Sequence, residues 1–252
     1  MDGEVAIEAA RMSVAELVEC ARRESERDSP IRWEAIGELV RRSNPKVFEA
    51  TRGLISSGHP RQVLLGADVA ARFGLEEATF HNVEDPSFLE RSRLQMVAEL
   101  VTLCSESDDP VLLATAVIGL GNQAVPRSSD AVMAHLGHPA AEVRQAVAYA
   151  LAPLVAAEPD PASAIRAGMV SALVTLADDP SGEVRNWALF GLGQILDDES
   201  EEIREVFTRH LDDPHEEARR EAEAGLARLS SAAVADDLSE PPPAPPTRLP
   251  GG

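Results

Sequence analysis

The chain repeats itself, and the repeat limits what it can fold into more than any other feature. Three segments share one order of residues: LGHPAAEVRQAVAYALAPL from Leu136, LADDPSGEVRNWALFGLGQI from Leu176 and LDDPHEEARREAEAGLARL from Leu211. Each has a leucine, a polar turn with proline, a Val-Arg or Ala-Arg pair, then small and apolar residues at helical spacing. Looser copies begin at Ser29 (SPIRWEAIGELV), His59 (HPRQVLLGADVAARF) and Asp109 (DPVLLATAVIGLGNQ). The residues opening the pairs are Ile31, Val63, Leu112, Val143, Val184 and Ala218, and their intervals are 32, 49, 31, 41 and 34 residues. Units of that length cannot bury an apolar face alone, so they must stack on their neighbours.

The prolines divide each unit into two helices. Pro30, Pro45, Pro60, Pro86, Pro110, Pro139, Pro180 and Pro214 each follow Ser, Asn, Asp or His, and a capping residue followed by proline at the first helical position is a start signal. Ser13-Val14-Ala15-Glu16 has the form of a capping box. First helices are therefore expected near 13–27, 45–57, 86–105, 128–136, 162–177 and 199–211. Second helices are expected near 30–42, 60–73, 110–122, 139–156, 181–196 and 214–230. The 49-residue interval leaves room for a short extra helix at 75–82. On a helical wheel Val184, Ala188, Gly191, Leu192 and Ile195 share an arc of about 100°, one buried stripe. Gly119, Gly121, Gly191 and Gly193 are poor helix formers whose expected use is close approach of the paired helix.

Composition agrees with close-packed helices. Hydrophobic residues make up 44% of the chain but aromatics only 4%, so the core is expected to be Ala, Val, Leu and Ile. From Asp236 the chain reads DDLSEPPPAPPTRLPGG, a composition that predicts a disordered, partly polyproline-II tail over 236–252 after a repeat domain spanning 1–235. Its PAPPTR stretch has the P-x-x-P-x-R pattern of ligands for aromatic grooves. The net charge of -20 repels phosphate backbones and anionic membrane surfaces, which argues against nucleic acid as a partner. Cys20 and Cys104 stand apart with no metal-type spacing, as packed thiols in a reducing compartment do. There is no basic n-region with an apolar run at the start, and no stretch of the roughly 18 to 20 apolar residues a membrane span needs. A cytoplasmic location without a membrane span is expected.

These repeats resemble the HEAT family, including the shorter HEAT-like units also found in phycobiliprotein lyases. The resemblance covers residues 13–230 and is sharpest in D-D-P-x-x-x-V-R at Asp178 to Arg185 and its relative at Asp212 to Arg219. It implies an all-α solenoid, an α-α superhelix of about six hairpins whose second helices line the concave side. It also implies a ladder of turn aspartates and helix arginines between neighbouring repeats, which by position falls on Asp179 with Arg185 and Asp213 with Arg219. Arg144 and Arg32 match the arginine position. His138 replaces the aspartate in one repeat, the turn at Asp28 is shorter in another, and Leu64 and Leu113 replace arginine, so the ladder is expected to be incomplete.

Chemical sites are not indicated. Gly119-Leu120-Gly121 and Gly191-Leu192-Gly193 follow no strand and lack the third glycine of a nucleotide loop. His135 with His138 and His210 with His215 do not make up the three or four convergent ligands of a zinc site, and read as turn and cap residues. No cofactor and no metal are expected, and no catalytic residue is assigned. Aromatics are more informative. Tyr149 and Phe190 occupy the same repeat position, Ile118 and Val69 hold it in two other units, Trp187 borders it, and Trp33 lies near it in the first unit. Either these residues are a ridge for a partner on the concave side, or they pack between repeats. The acids Glu216 and Glu217 belong to a stretch, 197–240, with 15 acids and 5 arginines, which is either a solubilising end cap or a dock for a basic segment. The expected function is a non-enzymatic protein-binding scaffold or adaptor. It would hold a partner helix or extended peptide, a basic one if the acidic end is a dock, with Trp33, Tyr149, Trp187, Phe190, Glu216 and Glu217 as contact residues. An enzyme or enzyme-assisting protein of the lyase type is the alternative. A third reading follows the HEAT-like alkylpurine DNA glycosylases, against which the charge weighs. Oligomeric state is not legible.

Overall fold

The structure, a computed structural model, describes residues 8–75, 85–194 and 201–239. The described residues form six helical hairpins in chain order, with no strand among them. The pairs are α1 Val14–Arg23 with α2 Pro30–Arg42, α3 Pro45–Ile55 with α4 Pro60–Ala70, and α5 Pro86–Glu106 with α6 Pro110–Gln123. They continue as α7 Ser129–Met133 with α8 Ala141–Ala157, α9 Ala164–Ala177 with α10 Gly182–Gln194, and α11 Glu201–Arg209 with α12 Glu216–Ser239. Each second helix packs on the second helix of the next hairpin as well as on its own partner. The result is a HEAT-like solenoid, not a closed bundle.

Local chemistry explains the helix starts. Ser13 and Glu16 form the reciprocal capping box, with the Ser13 amide donating to Glu16 Oε2 at 2.7 Å and the Glu16 amide donating to Ser13 Oγ at 3.3 Å. Pro30, Pro45, Pro60, Pro86 and Pro110 sit at the first helical position. Pro139, Pro180 and Pro214 do not, because α8, α10 and α12 start two residues later, at Ala141, Gly182 and Glu216. The reason is a tight turn ahead of the helix. Asp179 Oδ1 accepts the Ser181 amide at 2.8 Å, Asp213 Oδ1 accepts the His215 amide at 2.8 Å, and His138 Nδ1 accepts the Ala140 amide at 3.1 Å, each spanning the proline. At the other end, α12 continues to Ser239, past the expected start of the proline-rich tail. Residues 240–252, and the extra helix expected at 75–82 except for its first residue, lie outside the described residues.

The core runs continuously through the hairpins. Buried positions cover most of the circumference of α8, including Val143, Ala146, Val147, Ala150, Leu151, Leu154 and Val155, because α8 has neighbours on several sides. Val184, Ala188, Gly191 and Leu192 are buried on α10, the stripe expected from the wheel, while Ile195 is outside the described residues. Gly121 shows why a poor helix former is kept. A Cβ there would stand 2.5 Å from Ala150 Cα, so α6 and α8 meet backbone to backbone, and the close neighbour is the next second helix, not the paired first helix. Val69 is fully buried and belongs to the core, not to an outer ridge. In the first three hairpins the helix starts directly at the proline, so counting from the Val-Arg position shifts the register.

The turns carry an arginine–aspartate ladder whose rungs run between repeats. Arg144 grips the Asp179 carboxylate of the next hairpin with Nε at 2.6 Å and Nη2 at 2.9 Å, and Arg185 grips Asp213 at 2.8 and 2.6 Å. Within its own repeat each arginine donates to a turn carbonyl instead: Arg144 to His138 O at 2.8 Å, Arg185 to Asp179 O at 2.9 Å and Arg219 to Asp213 O at 2.7 Å. His138 stands where Asp179 and Asp213 stand in the next two turns and accepts the Ala140 amide, while Leu113 of the preceding hairpin is buried in the core, so no rung forms there among the described residues. Arg32 has a different partner. It pairs with Asp68, a carboxylate buried inside α4, which also takes Arg27 at 3.4 Å.

Candidate partner-binding face

The second helices bring three of the four singled-out aromatics together. Tyr149 on α8 and Trp187 on α10 meet edge to face with ring centroids 5.2 Å apart, and Trp187 meets Phe190 in the same manner at 5.7 Å. Positions 187 and 190 lie one helical turn apart, which places both rings on one side of α10. The Tyr149 hydroxyl donates to Asn122 Oδ1 on α6 at 3.0 Å, so the row spans three successive hairpins. Phe190 is 37% exposed. Tyr149 and Trp187 are half-buried, and Trp187 packs against the core. Pro153, inside α8, has no N–H to give the carbonyl four residues back, so Tyr149 O lacks its helical donor.

Trp33 stands apart. It is half-buried on α2, with the Arg72 guanidinium 4.8 Å and the Arg32 guanidinium 5.3 Å from its ring centroid. Glu216 and Glu217 are exposed in the first turn of α12, where carboxylates favour the helix dipole. Glu216 pairs with Arg220, and His215 lies between Glu217 at 3.5 Å and Glu183 of α10 at 3.4 Å. The histidines considered as metal ligands have local partners. His135 Nε2 is 3.0 Å from Cys104 O, and His210 Nδ1 is 3.0 Å from Asp213 Oδ2, while its Nε2 lies 3.3 Å from Asp178 without a hydrogen bond. Burial pushes the Cys104 thiol up to about 12, which keeps it protonated and unreactive.

Sequence reading missed the buried network around Asp68, in which Arg27 also donates to Thr115 Oγ1 of α6 at 2.6 Å. Its one signal is an aspartate inside the apolar run Val63 to Ala71, a charge that needs an ion partner once buried. Among the described residues, no helix is long and apolar enough to cross a membrane.

The family of HEAT repeats matches residues 170–240, which hold α10, α11 and α12 and part of α9. No curated protein matches the chain by sequence. Several solved structures share the fold. YibA of Escherichia coli is 19% identical with a TM-score of 0.68, the alignment covering 95% of this chain and 80% of YibA. An engineered protein is 23% identical with a TM-score of 0.54, over 87% of this chain and 98% of that one. A designed armadillo repeat protein, solved in complex with the peptide (KR)4, is 15% identical with a TM-score of 0.53, over 86% of this chain and all 100% of that one.

Proposed function

We propose that the chain, a HEAT-like solenoid whose residues 170–240 match the HEAT-repeat family, is a non-enzymatic scaffold that holds a partner helix or extended peptide along the concave face of its second helices, in the cytoplasm. The observation that carries this reading is the row Asn122, Tyr149, Trp187 and Phe190 across the second helices of three successive hairpins. Rigid aromatics give large contact area at little rotamer cost. The acid surplus favours a basic partner, and the armadillo relative solved with (KR)4 is a solenoid with such a peptide bound.

Selecting peptides from a random displayed library on the full chain tests both parts. Ligands rich in Lys and Arg that compete with one another for one face are expected. Recovering only peptides whose binding ignores Trp187→Ala and Phe190→Ala would remove the aromatic row from the account. The acidic end makes a separate prediction. Reversing Glu216 and Glu217 to Lys slows association of a basic peptide and flattens its salt dependence, because long-range steering is lost while the aromatic contacts stay. Stopped-flow rates at two salt concentrations measure this, and unchanged rates at low salt leave those acids as a solubilising end cap.

A further inference from the structure

The chain is acidic, but its charge is unevenly distributed. Residues 1–72 hold 11 basic and 12 acidic side chains, while the rest of the chain holds 12 and 31. Within the balanced part, four arginines line one small pocket. Arg22, Arg27, Arg32 and Arg61, with Ala21, Leu64 and Leu65 among the apolar walls, enclose about 170 Å3 where the α1–α2 turn meets the start of α4. A water takes about 30 Å3 in the liquid, so this space suits one compact anion.

The charges at the pocket do not balance. Arg32, only 5% exposed, and Arg27 share the single Asp68 carboxylate, and the other hydrogen bond of Arg27 goes to the neutral Thr115 hydroxyl. One positive charge is left over beside the buried Arg32, carried by the exposed Arg27, where it is free to pair with an anion that enters. Arg61 is exposed and makes no ion pair among the described residues. Arg22 is held by Glu19 at 3.0 Å. Glu24, the one carboxylate in the lining, accepts the Ser29 hydroxyl at 2.6 Å. Glu106, Asp108 and Asp109 line the adjoining cleft that Arg61 also faces and repel anions in proportion to their charge, so net attraction has to come from the arginines, whose forked N–H donors match the oxygens of a tetrahedral phosphoryl group.

We infer that this pocket binds a single phosphoryl group, with Arg27, Arg32 and Arg61 as its ligands. This site is separate from the aromatic row, and neither reading depends on the other. The phosphoryl group could arrive as free phosphate or on a phosphorylated serine side chain, so calorimetric titrations of the full chain use inorganic phosphate in one arm and O-phosphoserine in the other, against chloride at matched ionic strength. Saturable binding of either probe at one site is expected, and the tighter probe identifies the source. Arg61→Gln should weaken it about tenfold or more, since charge-assisted contacts are the strong ones, and should leave the melting temperature in chloride unchanged. Heats no larger than chloride gives, or equal affinity in Arg61→Gln, would overturn the inference.

Discussion

Val184→Asp is expected to destabilise the chain by about 3 to 5 kcal/mol, because it places a charge with no counter-ion in the stacked core. Val184 is fully buried on α10, which packs against α8, α9 and α12. The adjacent arginine cannot rescue the new carboxylate. Arg185 points into the turn, where Asp213 and the Asp179 carbonyl already hold it. A helix that packs on both neighbours transmits the damage to both, so the unfolding transition should broaden as well as move. Urea melts of the full chain followed by helicity measure the effect. A loss under about 1 kcal/mol would mean that the hairpins do not share one core.

Removing one side of the last complete rung should cost a comparable amount. Asp213→Ala leaves Arg185 almost buried with its carboxylate partner gone, and takes away the acceptor for the His215 amide and the contact to His210. Breaking one partner of a buried pair typically costs about 3 to 5 kcal/mol. Replacing both partners with apolar residues, Arg185→Met with Asp213→Leu, should cost less than Asp213→Ala alone, because no uncompensated charge remains. Acid titration gives an independent check. The Arg185 guanidinium, and then the turn amide of His215 and the His210 ring, hold the Asp213 carboxyl well below the usual carboxylate range, against the opposing effect of burial. A depressed folded pKa stabilises the fold fully above the unfolded value, near 4, and that contribution disappears as pH falls below it. The wild type should therefore lose stability below about pH 4 along a limb that Asp213→Ala lacks. Parallel acid limbs in the two proteins would remove Asp213 from the ladder's energetics.

The helices were legible because they are punctuated by caps and prolines and patterned at the helical period, and local chemistry suffices to place such starts. What depends on the spacing of neighbouring repeats was less legible. Which carboxylate Arg185 takes is decided by how far apart α10 and the next turn sit, and the D-D-P motif carries no record of that distance. The shift of α8, α10 and α12 to starts beyond the proline has the same origin, since the aspartate or histidine ahead of it closes a turn instead of capping the helix. Asp68 left a trace as a charge in an apolar run, yet its partners come from a turn and a helix dozens of residues earlier. The aromatic positions could be placed at one repeat register from sequence, but exposure separates them: Phe190 reaches solvent, Tyr149 and Trp187 are half-buried, and Trp33 is stacked beneath arginines. Burial is a property of the neighbouring repeat, which a single helical wheel omits.

That difference selects the most direct test of the binding face. Melting of the free protein and affinity for a selected peptide should be measured together on Phe190→Ala, with Tyr149→Ala, Trp187→Ala and Trp33→Ala alongside. Phe190 is the most exposed ring of the row, so its removal should weaken binding by about 2 kcal/mol, roughly thirtyfold, while lowering stability by less than about 1 kcal/mol. Trp187→Ala should lower both, since that ring also packs on the core. Trp33→Ala, away from the row, should affect stability more than affinity. A Phe190→Ala protein that loses about 3 to 5 kcal/mol of stability, as fully buried aromatics do, and binds the peptide as tightly as the wild type would contradict a binding surface built on this row.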